Sequence, residues 1–251
     1  MPYWTSMAIS LRVVDYGETS QIAAFLTRDK GRVSAIAKGA KRKGSRFSGA
    51  LEPVTLCEVV CFKGRDTASL HTLAELDVRD TYRGARQEMR RLHAAAYVIE
   101  VLREVAPEEQ PLPDVFDLAA ATLRRISTIP DWDGAVVLGF EARLLELMGL
   151  FPLLDACVEC GEPAGRGAGA PARAAFSARL GGVLCEPCQS KDRHAKATSP
   201  GALQTLAILG RDPAKAAHLK VPPGQQAELR ALLNAYLAAA LDRDLRLAKY
   251  L

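Results

Sequence analysis

Gln21-Ile22-Ala23-Ala24-Phe25-Leu26-Thr27, then Arg28-Asp29-Lys30-Gly31-Arg32, then Val33-Ser34-Ala35-Ile36-Ala37-Lys38, is the passage on which the fold turns. Two short apolar runs flank Asp29-Lys30-Gly31, a turn in which glycine supplies positive φ. The same unit recurs on both sides. Ala8–Val14 precedes it across Asp15-Tyr16-Gly17, and Val54–Phe62 and Leu70–Val78 follow, separated by Lys63-Gly64-Arg65-Asp66. Five short strands at this spacing predict a small barrel or sandwich over residues 1–80. A five-stranded OB-type barrel suits them, because closure leaves little open sheet edge.

Past Tyr82 the period of the apolar residues changes. Met89, Leu92, Ala96, Ile99 and Leu102 step by three and four, as one face of a helix requires. Leu112, Phe116, Ala119, Leu123 and Ile126 repeat the pattern after Pro107–Pro111, and Val137, Phe140, Leu144 and Leu147 make a third stripe ended by Gly149. Nearer the C-terminus, Ser199 can cap a helix with Pro200 at its first position and Gly210 past its end. Leu229, Leu233, Tyr236 and Ala240 stripe the last one. These stripes are packing faces. The expected class is α+β with several domains: barrel 1–80, helices 81–152, a four-cysteine module 153–194, and C-terminal helices 195–251.

Composition is that of a globular chain. Of 251 residues, 49% are hydrophobic and 25% charged, ample for a core. The longest stretch free of Asp, Glu, Lys and Arg is Ala197–Gly210, broken by Pro200 and Gly201, too short for a spanning helix. Met1-Pro2-Tyr3-Trp4-Thr5 has neither the basic nor the apolar region of a signal peptide. A cytoplasmic, nucleoid-associated bacterial protein is expected. Six cysteines in a reducing compartment read as metal ligands or core residues rather than disulfides.

Four of the six form two knuckles, Cys157-Val158-Glu159-Cys160 and Cys185-Glu186-Pro187-Cys188. Two residues between ligands let both thiolates of a knuckle point at one ion, and Gly161 permits the tight turn after the first pair. Four thiolates fill a tetrahedral shell, so one structural Zn²⁺ is expected on Cys157, Cys160, Cys185 and Cys188, with no position left for a reacting water. The Gly-, Ala- and Pro-rich stretch Gly161–Arg173 between the knuckles is expected to be a long mobile loop. A redox Cys-x-x-Cys would need a βαβ context that is lacking here. Cys57 and Cys61, four apart on one face of a strand, stand roughly 13 Å apart and cannot share an ion. They read as buried strand residues. His194 lies near the second knuckle, where four thiolates already suffice.

The formal net charge is only +4, but it is unevenly spread. Between Lys30 and Leu51 stand Lys30, Arg32, Lys38, Lys41, Arg42, Lys43 and Arg46, with no Asp or Glu. Such a run makes a local positive field that the net charge hides. Lys38–Arg46 is too rich in glycine for a stable helix. As a mobile loop leaving a barrel strand it can follow a phosphate backbone and release counterions. Phe47, beside Arg46, is expected to stack on an unpaired base. A solvated surface loop, an anionic lipid or an acidic protein partner are the competing readings of the same charges.

At this point the order of features resembles a known family, the bacterial RecO recombination mediators. The likeness begins at Leu11-Arg12-Val13-Val14-Asp15-Tyr16-Gly17-Glu18-Thr19-Ser20. It continues through Leu26-Thr27, Lys30-Gly31, Ala37-Lys38-Gly39-Ala40, Ser45-Arg46, Leu51-Glu52-Pro53 and Ala74-Glu75. Ala96-Tyr97, Glu100-Val101-Leu102, Phe140-Glu141-Ala142-Arg143-Leu144-Leu145 and Met148-Gly149-Leu150-Phe151-Pro152 resemble its helical signature. Asp155-Ala156-Cys157, Cys160-Gly161 and Gly181-Gly182-Val183-Leu184-Cys185 resemble its zinc module. The resemblance implies an N-terminal OB-fold, a helical domain and an embedded zinc module. It also implies binding and annealing of single- and double-stranded DNA. With the partner RecR, such proteins help load RecA recombinase onto strands coated by the single-strand-binding protein SSB, whose C-terminal tail is a further partner.

No catalytic residue is expected. There is no Gly-x4-Gly-Lys-Ser/Thr phosphate loop and no nucleophile elbow. Glu75, Asp77 and Asp80 are the closest approach to the carboxylate cluster that a metal-dependent nuclease needs, and they read as strand-end and turn charges. A zinc-bearing transcription regulator, the other alternative, needs a sequence-reading helix that none of the stripes supplies.

Overall fold

The computed structural model describes residues 2–47, 51–63, 70–130, 132–163 and 174–251. They form two compact units, Met1–Trp132 with Lys249–Leu251, and Asp133–Ala248.

The first unit opens with β1 (Tyr3–Tyr16), β2 (Ser20–Thr27), β3 (Gly31–Ala37), β4 (Thr55–Lys63) and β5 (Leu70–Asp80), a closed barrel in the order β1-β2-β3-β5-β4. The strands pair antiparallel except β3 with β5. This is the OB arrangement. Closure depends on the length of β1, which pairs with β4 through Tyr3–Ser10 and with β2 through Ala8–Tyr16. A register shift between Ser10 and Arg12 bends the strand where it changes partner. The interior is narrow and accordingly lined by small residues, Ala8, Ala23, Ala35 and Ala37, around Phe25, Val33, Val59 and Leu73.

Gly31 holds the barrel to the chain that follows helix α1 (Met89–Val105). Its φ is +70°, and a Cβ there would lie 2.0 Å from the Gln110 carbonyl oxygen. Around it Arg32 N donates to Pro107 O, Glu109 N donates to Arg32 O and Arg32 Nε donates to Ala106 O. Gly31→Ala is therefore expected to cost about 2 kcal/mol from overpacking and positive φ together. A thermal melt indistinguishable from wild type would contradict this.

Helices α1 and α2 (Pro113–Thr128) occupy the predicted stretches. The predicted stripe holds in part. Ile99 and Leu102 are buried and Leu92 and Ala96 half-buried, but Met89 is 65% exposed, and Ala94, Ala95, Tyr97, Val98 and Val101, outside the stripe, are buried too. The helix packs against α2, β1 and the 3-10 turn Arg83–Arg86 together, so several of its sides are covered.

The second unit holds α3 (Ala135–Leu147), α4 (Pro200–Arg211), the short α5 (Pro213–Ala216) and α6 (Pro223–Leu241). A small sheet, β6 (Ala174–Ser177), β7 (Gly182–Leu184) and β8 (Lys196–Thr198), runs in the order β7-β6-β8. Leu138, Leu145, Leu206, Leu229 and Leu233 make a core into which the sheet inserts Phe176 and Val183. Ser199 caps α4 as the sequence predicts, its Oγ accepting from Ala202 N at 3.2 Å. Gly210 lies inside α4 rather than past its end. It is there for contact, because a Cβ would meet the Phe151 ring at 2.2 Å. Of the loop expected over Gly161–Arg173, residues 164–173 lie outside the described residues.

Candidate metal centre and nucleic-acid interface

The two knuckles converge. Leu153 pairs with Gly182 at the start of β7, and Val158 N donates to Val183 O, which lays the first knuckle along that strand. Cys185 follows β7 directly, and Pro187 helps start the 3-10 turn Glu186–Lys191 that carries Cys188. Each knuckle closes its own turn: Gly161 N donates to Cys157 O at 2.9 Å with Gly161 at φ +78°, and Cys188 N donates to Cys185 O at 3.0 Å. The four Sγ atoms all lie within 4.8 Å of one another, and those of Cys160 and Cys185 are 3.5 Å apart. Sulfurs about 2.3 Å from a shared tetrahedral ion stand roughly 3.8 Å apart, so this donor set fits one metal ion.

Proton affinities within the group are uneven. Burial pushes the Cys157 thiol up, but backbone N–H groups of Cys185, Cys160 and Glu159 outweigh it and leave it at about 6. Cys188 is pushed up to about 12, chiefly by its hydrogen bond with Cys185. Beyond the second knuckle, Ser177 Oγ donates to Asp192 Oδ2 at 2.5 Å and His194 N donates to Asp192 Oδ1. The Ser177 bond, then the His194 amide, holds the Asp192 carboxylate below its usual range. Sequence reading missed this tie between knuckle and sheet, since nothing local marks a Ser–Asp pair 15 residues apart.

Cys57 and Cys61 are not members of the cluster and are fully buried in the barrel. Burial pushes both thiols up to about 12. Asp77 pairs with Arg79, and Asp80 accepts the Tyr82 amide.

The basic segment after β3 is folded as consecutive turns. Ala40 N donates to Ala37 O, Arg42 N to Gly39 O and Ser45 N to Arg42 O, with Gly39 and Gly44 at φ +71° and +77°. Lys41 N donates to Thr19 O, tying the turns to the β1–β2 connection. Lys38, Lys41, Arg42, Lys43 and Arg46 are exposed on them, and Lys41 pairs with Asp15 at 2.7 Å. Lys30 and Arg32 are not part of this group. They sit at the far end of β3, roughly 20–26 Å along the strand direction from Lys38. Arg32 is engaged with Ala106 O and Glu108, which makes it a structural tie.

Phe47 corrects the sequence reading. It is 3% exposed and packs into the barrel core with Ala40 and Leu51, with the Arg46 guanidinium 5.3 Å from its ring centroid. A ring so covered has no face for a base. It serves as the plug that holds the basic turns down on the barrel.

An OB barrel bearing a basic turn cluster, joined to a helical unit with four converging cysteines, defines the class: a barrel protein with an embedded cysteine module that could hold a metal ion. Within that class the relationship is specific. Residues 1–82 match the family described as Recombination protein O N terminal, and residues 86–248 match Recombination protein O C terminal. The DNA repair protein RecO of Rhodopirellula baltica is 38% identical over 211 residues, covering 82% of this chain and 75% of that protein. That of Anaeromyxobacter dehalogenans is 35% identical over 246 residues, covering 97% and 93%. For Bacillus pumilus the figures are 32% over 232 residues, 92% and 86%. The chain belongs to the RecO family of DNA repair proteins. Among the described residues, no helix is long and apolar enough to cross a membrane.

Proposed function

We propose that this chain is a recombination mediator that binds single- and double-stranded DNA and anneals complementary strands. With RecR it would help load RecA onto SSB-coated single-stranded DNA in the bacterial cytoplasm. The observation that carries the reading is the cluster Lys38, Lys41, Arg42, Lys43 and Arg46, presented on ordered turns of an OB barrel in a chain of this family.

The action is physical, without a covalent step. Two complementary strands repel through their phosphates. A surface that neutralises both lowers the repulsion and releases counterions, so pairing proceeds without nucleotide hydrolysis. In this division of labour residues 1–80 handle DNA, and residues 81–152 and 195–251 form the helical part. Residues 153–194 are a zinc module. Cys157, Cys160, Cys185 and Cys188 would hold one Zn²⁺, which supplies cross-linking of the two knuckles; a closed four-thiolate shell suits structure rather than catalysis.

The test is annealing of complementary SSB-coated oligonucleotides across a salt series. A variant combining Lys41→Ala, Arg42→Ala and Lys43→Ala is expected to anneal more slowly, with a salt slope reduced by roughly 2–3. Unchanged annealing in that variant would move the DNA surface elsewhere, and absence of annealing by the wild type would remove the mediator reading.

A further inference from the structure

An aromatic pair stands on the outside of the barrel. Tyr3, 64% exposed, lies directly opposite Phe62 near the end of β4, with ring centroids 5.0 Å apart and planes at 55°. The register continues the row. Phe62 is opposite Thr72 on β5, Thr72 lies beside Ile36 on β3, and Ile36 is opposite Ile22 on β2. Directly paired residues share a face of the sheet. Phe62, Thr72, Ile36 and Ile22 are all half-exposed, whereas Cys61, Leu73, Ala35 and Ala23 beside them are in the core. An outer row, apolar except for Thr72, therefore runs from the aromatic pair to Ile36, two residues before Lys38 and the basic turns. Two strand spacings put Phe62 roughly 10 Å from Ile36.

Two observations separate this row from ordinary scattered surface apolar residues. The first is that its aromatic end is anchored. Chain termini usually fray, yet Trp4 Nε1 donates to His71 Nδ1 at 3.3 Å and meets that ring edge-on at 5.3 Å. His71 Nε2 and Lys63 Nζ both reach Glu109 Oε1, at 3.2 and 2.9 Å. The residues next to Tyr3 and Phe62 are thus held, and the rings are positioned before any ligand arrives. The second is charge: the other end of the row runs into exposed Lys38, Arg42 and Lys43.

We propose that Tyr3 and Phe62 form a stacking platform for unpaired bases, while Lys38, Arg42 and Lys43 neutralise phosphates of the same single strand. The proposal rests on the DNA-binding reading above and deepens it. Every base has a π-face, so the platform accepts any sequence, but duplex bases are stacked on each other and do not reach it. The basic turns serve single and double strands alike; the aromatic pair serves single strands alone. It fills the role that the burial of Phe47 leaves open.

The experiment uses the full chain carrying Tyr3→Leu and Phe62→Leu together, which removes the π-faces and keeps the sheet surface apolar. Binding of a labelled oligo-dT strand and of a hairpin duplex is measured by anisotropy across a salt series. The expected result is a loss on the order of 10-fold for the single strand, with duplex affinity and salt slope unchanged. Equal single-strand affinity in this variant, while the basic-turn variant still binds weakly, overturns the platform and leaves the DNA reading intact. A wild type that binds neither probe overturns that reading and the platform with it. Should the double variant fail to fold, photocrosslinking of wild type to an oligonucleotide bearing 5-iododeoxyuridine decides the matter. Adducts on Tyr3 or Phe62 support the platform, and adducts only elsewhere overturn it.

Discussion

Cys160→Ser is expected to abolish stoichiometric zinc binding and to lower the melting temperature of the second unit by well over 10 °C. Cys160 is the informative ligand because it is exposed, so serine removes a thiolate without burying a hydroxyl. Binding of structural zinc is worth about 10–16 kcal/mol in small modules and is coupled to their folding. Here it would hold together two knuckles whose other ties, among the described residues, are a few hydrogen bonds and the small cluster of Cys157 with Ala175 and Leu184. The loss spreads because β6 and β7 place Phe176 and Val183 in the core of the helices. Cys61→Ser, which alters a buried barrel cysteine that is not a member of the cluster, is expected to leave zinc binding intact. Metal analysis with thermal melts checks both. A Cys160→Ser protein that retains one zinc and melts normally would remove the structural role assigned to this centre.

The second large effect concerns an ion pair to which no ligand contact is assigned. Glu141 of α3 is fully buried, and both its carboxylate oxygens accept from Arg230 Nη1 of α6, at 2.8 and 2.7 Å. The Arg230 side chain is only 14% exposed. Arg230→Ala leaves the carboxylate in the core without its guanidinium, which typically costs about 3–5 kcal/mol. For a unit of this size that is roughly 10 °C or more in melting temperature. Glu141→Leu with Arg230→Met removes both charges and is expected to recover most of the loss. Equal destabilisation of the single and double variants would show that the pair acts through packing instead.

These two cases differ in how far they could be read from the chain. The cysteine spacing is local: two residues between ligands, twice, is a geometric statement about one ion, and the four Sγ atoms do converge. Glu141 and Arg230 are 89 residues apart on helices whose faces read only as apolar stripes, so nothing in either segment announces the pair. The basic cluster lies between. Its charges are plain in the sequence, but its folding into turns depends on Phe47 finding the barrel core.

Order along the chain was sufficient wherever a short period decides structure. Short apolar runs and turn glycines placed the five strands, and steps of three and four with Ser199-Pro200 placed the helices. Phase and facing were another matter. Met89 falls on the periodic stripe of α1 yet is exposed, because α2, β1 and the Arg83–Arg86 turn together decide which sides of that helix are covered. Gly210 reads as a helix stop and is instead a contact point for Phe151. Tyr3 and Phe62 meet only because β1 is long enough to pair with β4 as well as β2 and so close the barrel. Local patterns select a backbone conformation within a few residues. The side that a residue presents, and the distant residue that it meets, are settled when separate elements exclude water from the same core.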